Sequence, residues 1–227
     1  MATGGTTVAI DWQIAVDYLP ALVAGAEVTL AIAALSLALG VAVGLALALA
    51  RISGLRILSW PAYAYIEFFR TTPPLVQIVW FYFVVPVLIG IELDSFQAAS
   101  AALGLNIAAF LAEIFRAGIQ GIDATQRDAA KVLGLGRIDT FRFVVLPQAF
   151  RIVLPPATTT VMLLLKGTAL ASAIGTMELM RVAQLVSIET FRPFEVLTLI
   201  AVMYFVLTYP IAIGARYLER RMRVGEN

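Results

Sequence analysis

Apolar residues along the chain gather into five blocks, at about 19–50, 57–91, 96–119, 152–175 and 194–217. Each block is long enough to cross a bilayer, because about 20 helical residues span its hydrocarbon core. Short polar stretches divide them: RISGLR, ELDS, the long segment 121–151, and ELMRVAQLVSIETFRPFE. The second block is too long for one untilted span and contains Pro61, Pro73, Pro74 and Pro86. It reads as a broken or strongly tilted helix, or as a span plus a re-entrant piece.

Basic residues then orient the blocks. No Lys or Arg precedes Arg51. Arg51 and Arg56 follow the first block, five basic residues lie between Arg127 and Arg151, and Arg216, Arg220, Arg221 and Arg223 close the chain. The loop after the second block carries Glu92 and Asp94 and no cation. Cytoplasmic loops are enriched in Lys and Arg. An outside N-terminus, five crossings and an inside C-terminus satisfy every loop except the mixed one at 181–195. The expected fold is therefore all-α, a single polytopic membrane domain over 1–227 with five transmembrane helices, N-out and C-in.

Composition agrees and narrows the chemistry. The chain is 61% hydrophobic and 14% charged, with a mean hydropathy of +0.91, far from a soluble domain. It has no Cys and no His, which excludes disulfides, thiolate catalysis, Ser-His triads and His-rich metal sites. A net charge of +1 gives no pull toward nucleic acid. The N-terminal stretch lacks the basic region of a cleaved signal peptide, so the first span is expected to do the targeting.

Against this background the segment RDAAKVLGLGRIDTFRFVVLP, Arg127 to Pro147, stands out. Asp123 followed by Gln126 fits an N-cap with its reciprocal partner. Ala124 to Leu133 forms a short helix that Gly134 and Gly136 can stop, and Asp139 can cap a second one running toward Pro147. On the orientation above, this helix–elbow–helix lies inside the cell, either against anionic lipid or as a docking surface for a soluble partner.

Read as a pattern, the segment is D-A-A-x3-G-x9-V-x-L-P, from Asp128 to Pro147. It resembles the EAA loop, E-A-A-x3-G-x9-I-x-L-P, of permease subunits of binding-protein-dependent ABC importers. EFFRTTPPLVQ (67–77), AEIFRAGIQGI (112–122), LPQAFRIVLPP (146–156) and LLKGTALASAIG (164–175) resemble the polar-amino-acid branch of that family. The resemblance implies a non-catalytic subunit of the bacterial inner membrane. Its expected partners are a cytoplasmic ABC ATPase dimer, a second permease (identical or a paralogue) and an extracytoplasmic solute-binding protein. In the family the loop's first helix couples to the ATPase. By match, Asp128, Ala129, Ala130, Gly134 and Pro147 take those positions, with Leu133 beside them. No cofactor is expected in this chain: the only lysines, Lys131 and Lys166, follow Ala130 and Leu165, so there is no Gly-Lys-Ser/Thr phosphate loop. ATP and Mg would be held by the partner ATPase.

Charges within spans are costly and are functional candidates by default. Glu67 and Arg70, like Glu113 and Arg116, are spaced so that each pair can neutralise itself on one helix face. Lys166 has no acid three or four positions away. It either snorkels, pairs with a glutamate on another span, or faces a central pathway where it meets a substrate carboxylate. Glu67, Arg70, Glu113, Lys166 and Thr168 are thus the candidate pathway residues. Two stretches depart from the family pattern: Lys166-Gly167-Thr168 lacks the usual acidic or amide group, and Thr71-Thr72-Pro73-Pro74 replaces Gly-Thr-Pro. The alternative reading is a stand-alone secondary transporter or channel for small solutes.

Overall fold

The computed structural model describes residues 12–223; the first eleven and last four positions of the expected 1–227 domain lie outside them. Among the described residues every regular element is helical. A short turn, α1 (Gln13–Asp17), leads into α2 (Leu19–Ile52), a 34-residue apolar helix. The second apolar block is broken into α3 (Arg56–Thr71), α4 (Pro74–Phe83) and α5 (Val85–Ile89). Next come α6 (Ser95–Gln120), α7 (Ala124–Val132) and α8 (Arg137–Asp139). A π-helical turn, Thr140–Val145, joins α8 to α9 (Leu146–Gly167), which tightens into a 3-10 segment, Thr168–Ile174. The chain closes with α10 (Leu179–Thr190) and α11 (Pro193–Arg223).

Four stretches are long and apolar enough to cross a membrane: Leu19–Ile52, Ser95–Gln120, the continuous run Arg137–Ile174, and Pro193–Leu218. The second block, expected to be broken or tilted, supplies no uninterrupted span of that length, because α3 has 16 residues and α4 has 10.

The scaffold is built on one helix pair. Lipid tails are as apolar as leucine, so helices associate by close packing and hydrogen bonds. α2 presents Ser36, Gly40, Gly44 and Ala48, and α6 presents Ser100, Gly104, Ala108 and Ala112, all buried. Each set repeats every four residues, which places it on one helix face. The two backbones come close enough that a Cβ at Gly44 would lie 2.9 Å from the Ala108 carbonyl oxygen and 3.1 Å from the Leu111 Cβ. Ser36 Oγ donates to the Ser100 carbonyl at 3.0 Å, adding a buried bond across the seam.

The break between α3 and α4 is equally constructed. Pro73 cannot donate, and it forces Thr72 into an extended conformation (φ −86°, ψ 134°). The last carbonyls of α3 therefore lose their helical donors. The Thr71 hydroxyl bonds the Glu67 carbonyl at 2.7 Å, and the Thr72 hydroxyl bonds that of Phe68 at 2.7 Å. Buried Gln77 reaches back across the break, its Nε2 donating to Phe69 O at 3.0 Å and Thr72 O at 3.1 Å. From α6, Asn106 Nδ2 donates to Phe69 O at 2.9 Å and to Gln77 Oε1 at 3.1 Å. In the departure TTPP, Thr71 stands where the family has glycine and its hydroxyl adds a bond to the Glu67 carbonyl, whereas the Phe69 carbonyl, which Pro73 leaves without an amide donor, is closed by Gln77 and Asn106.

Asp94 caps α6 through a reciprocal box with Gln97. Glu178, fully buried, caps α10 and accepts the Tyr204 hydroxyl at 3.1 Å. Thr29 of α2 accepts the Leu179 amide at 3.1 Å, so α2, α10 and α11 meet at one polar knot.

Two predictions follow from this packing. Gly44→Leu is expected to destabilise the chain by about 1–3 kcal/mol through overpacking against a backbone carbonyl, read as a lowered melting temperature in detergent. Gln77→Leu and Asn106→Leu are each expected to lower it as well, and the double variant to fall short of additivity by about 0.5 kcal/mol or more because the two side chains share one network.

Candidate functional site

The helix α7 is set by its two ends. At the start, Asp123 Oδ1 accepts from the Thr125 amide at 2.9 Å and the Thr125 hydroxyl at 2.7 Å. The expected reciprocal bond with Gln126 is replaced by this tighter turn, in which Gln126 N bonds the Asp123 carbonyl. The hydroxyl of Thr125, and then its amide, hold the Asp123 carboxyl below its usual range. The cap therefore persists above the ordinary carboxylate pKa and is lost as pH falls through the lowered value.

At the other end, Leu135 N bonds Ala130 O and Gly134 N bonds Lys131 O, both at 3.0 Å. This is a Schellman ending, and its left-handed residue is Gly134 with φ +78°. A Cβ there would meet nothing within 4 Å, so Gly134 is required by its dihedral angle and not by space. Gly136, expected as a second stop, has φ −65° and opens α8 instead. Asp139, expected as a cap, lies inside α8 and caps nothing.

The two faces of α7 differ. Ala130 is 2% exposed, packed inward on the chain's own loop, whereas Ala129 is exposed. Val132, Leu133 and Ile138 are 88%, 79% and 81% exposed. Ala129, Val132 and Leu133 share one face by helical spacing, an apolar strip on an otherwise polar loop. Sequence reasoning passed over Val132 and Ile138. Their signal was two large aliphatics flanking a glycine elbow in a segment read for its caps, alanines and glycines. Asp128 pairs with Lys131 at 2.7 Å on the surface. Arg127 Nη2 donates to the Ile119 carbonyl at 2.6 Å, tying α7 to the end of α6.

Pro147 sits in the first turn of α9, directly after the π-helical turn. Its ring would clash with the carbonyl four residues back in a regular helix, and the wider turn relieves that clash. The loop consequently runs into α9 without a break.

The candidate pathway residues are dispersed. Glu113 and Arg116 form the expected pair, with Arg116 Nε 3.1 Å from Glu113 Oε2 and Arg116 Nη1 donating to Gln120 at 2.8 Å. Glu67 and Arg70 do not pair. Arg70 instead lies over the Phe110 ring, 5.6 Å from its centroid, because its guanidinium reaches the neighbouring α6. Thr168 is fully buried and donates to the Leu165 carbonyl at 2.8 Å. Lys166 is exposed on α9.

None of these five lines the cavity of about 220 Å³ bordered by Pro74, Asn106, Phe110, Thr160, Gly167 and Leu170, among others. That cavity rests against the proline break. Its walls are mostly apolar, with Asn106 and Thr160 as polar exceptions, and Arg70 adjoins it through Phe110. Among the described residues, no group of three acidic side chains stands close enough to hold a metal ion.

Comparison with known proteins places this geometry. Residues 40–224 match the model of the binding-protein-dependent transport system inner membrane component. The chain is 37% identical over 215 residues to the glutamine transport system permease protein GlnP of Escherichia coli K12, covering 94% of this chain and 98% of that one. It is 34% identical over 214 residues to the arginine transport system permease protein ArtQ of Bacillus subtilis, with the same coverage. The crystal structure of an amino acid ABC transporter with histidines superposes with a TM-score of 0.86 at 36% identity, covering 94% of this chain and 99% of that one. This chain belongs to the family of inner membrane components of binding-protein-dependent transport systems.

Proposed function

We propose that the chain is the permease subunit of an ATP-driven importer for a polar amino acid or related zwitterion. It makes and breaks no covalent bond. An extracytoplasmic binding protein delivers the solute, this chain and a second permease domain pass it across, and a cytoplasmic ATPase dimer holding ATP and Mg drives the cycle. The reading includes a single domain of five crossings, N-out and C-in, with α3 to α5 together making the second. Basic residues at 51–56, 127–151 and 216–223 then share the inner side. Relatives named for glutamine and arginine transport support the substrate class.

The observation that carries the coupling role is the two-faced α7. Its inner face is fixed to the chain by Ala130, by the Schellman ending and by Arg127, while Ala129, Val132 and Leu133 stand out into solvent. A small residue flanked by two aliphatics is suited to a groove on a partner, with the Asp128–Lys131 pair at its edge. Pro147 and its π-helical turn join that face to α9.

For the pathway, the cavity at the proline break is the candidate passage. Arg70, which adjoins the wall through Phe110, is the cation placed to meet a carboxylate there, Lys166 precedes the wall residue Gly167 in α9, Glu67 lies in α3 ahead of the same break, and Glu113 pairs with Arg116. Thr168, buried and bonded to the Leu165 carbonyl, holds the end of α9.

Ala129→Trp is expected to cut co-purification of the ATPase at least about tenfold, the loss typical of a contact worth more than about 1.4 kcal/mol, with an unchanged melting temperature. Ala130→Trp is expected to lower the melting temperature as well. ATPase retention in Ala129→Trp would refute the docking face. Gly134→Ala is expected to cost about 1 kcal/mol of loop stability from its positive φ alone, measurable as faster amide exchange over 130–135. A thermal-shift screen of the cognate binding protein against amino acids identifies the solute.

A further inference from the structure

Away from the coupling loop and the proline-break cavity, one recess combines cations with aromatic rings. It lies where α2 ends and α3 begins, has a volume of about 330 Å³, and is lined by Arg51, Arg56, Ser59, Trp60 and Tyr63. The Arg51 guanidinium is held in place there. Its Nη1 donates to Ser59 Oγ at 3.2 Å, and its carbon lies 4.9 Å from the centroid of the Tyr63 ring. The Nε of the same group is buried and has no hydrogen-bond partner, which is costly for a charged donor.

No carboxylate lines the recess. Glu113, which feels the charge of Arg51, is already bonded through both oxygens to Arg116. Arg56 opens α3, whose first turn has no side-chain cap. Beside these two cations the surface turns apolar, with Ile57 80% and Trp60 74% exposed. The place is the end of a 34-residue apolar helix, where a bilayer passes from hydrocarbon to headgroups.

We propose that this recess binds the phosphate group of an anionic phospholipid. Guanidinium groups present paired donors that match phosphate oxygens. Trp and Tyr favour the level of the headgroups. The acyl chains lie along Ile57 and Trp60. A free phosphate would use the two arginines and leave that apolar wall unused, so the lipid is the occupant that accounts for both halves of the site.

The test uses Trp60 as its own reporter. In a W12F/W80F background it is the sole tryptophan of the chain. The full chain is reconstituted in phosphatidylcholine vesicles in which an equal small fraction of lipid is either brominated phosphatidylglycerol or brominated phosphatidylcholine. Phosphatidylglycerol is expected to quench Trp60 more strongly. Arg56→Gln is expected to lower that preference about fivefold, the effect of one cation near a charged headgroup, and it leaves every internal bond of Arg51 in place. Arg51→Gln/Arg56→Gln is expected to abolish it, while Arg216→Gln/Arg220→Gln is expected to retain it. Equal quenching by the two lipids, full preference in Arg56→Gln, or an equal loss in the distal pair would each overturn the proposal. Loss of the preference in excess inorganic phosphate would also overturn it, and would assign the site to the free anion.

Discussion

Inside a bilayer no water is present to satisfy a backbone donor or acceptor, so every interruption of a helix must bring its own partners. This single constraint organises the structure. The apolar block 57–91 is interrupted at Pro73; Gln77 and Asn106 close the Phe69 carbonyl there, Gln77 also takes the Thr72 carbonyl, and the Thr71 and Thr72 hydroxyls add bonds to the last turn of α3. Because Asn106 belongs to α6, the break is also anchored to the central helix pair. The cavity of about 220 Å³ rests on that anchored corner. The recess in the protein and the satisfaction of its backbone are thus the work of the same few side chains.

The small-residue seam between α2 and α6 gives that corner a rigid backing. A pair of helices in near backbone contact has no room to slide, since side-chain rotamers cannot absorb a displacement where there are no side chains. The polar knot of Thr29, Glu178 and Tyr204 adds α10 and α11 to the same block.

How much of this could be read in the sequence depended on whether the cause was local. The elbow after α7 was legible because a positive φ selects glycine from backbone geometry alone, and Gly134 shows that requirement undiluted by packing. The broken second block was legible for the same reason, from its prolines. Facing was not legible. Ala129 and Ala130 are identical and adjacent, yet one is buried in the chain and the other exposed, and only the placement of α7 on its neighbours separates them. Arg70 is correctly spaced to pair with Glu67, but a long side chain has other choices, and the Phe110 ring on α6 took it. The small-residue seam was readable in principle: Ser36, Gly40, Gly44 and Ala48 step by four, as do Ser100, Gly104, Ala108 and Ala112. Against a strongly apolar background, small residues attract less notice than charges, although at this seam they set the distance between helices.

One contact in the loop reaches further than its size suggests. The bond from Arg127 to the Ile119 carbonyl fastens α7 to the lower end of α6, while α8 and the π-helical turn fasten it to α9. The loop is therefore a yoke across two helices and not a tether hanging from one. Its exposed face is thereby connected both to α6, which packs on α2, and to α9 with its 3-10 extension. The yoke therefore joins the two helices that supply most of the cavity's wall.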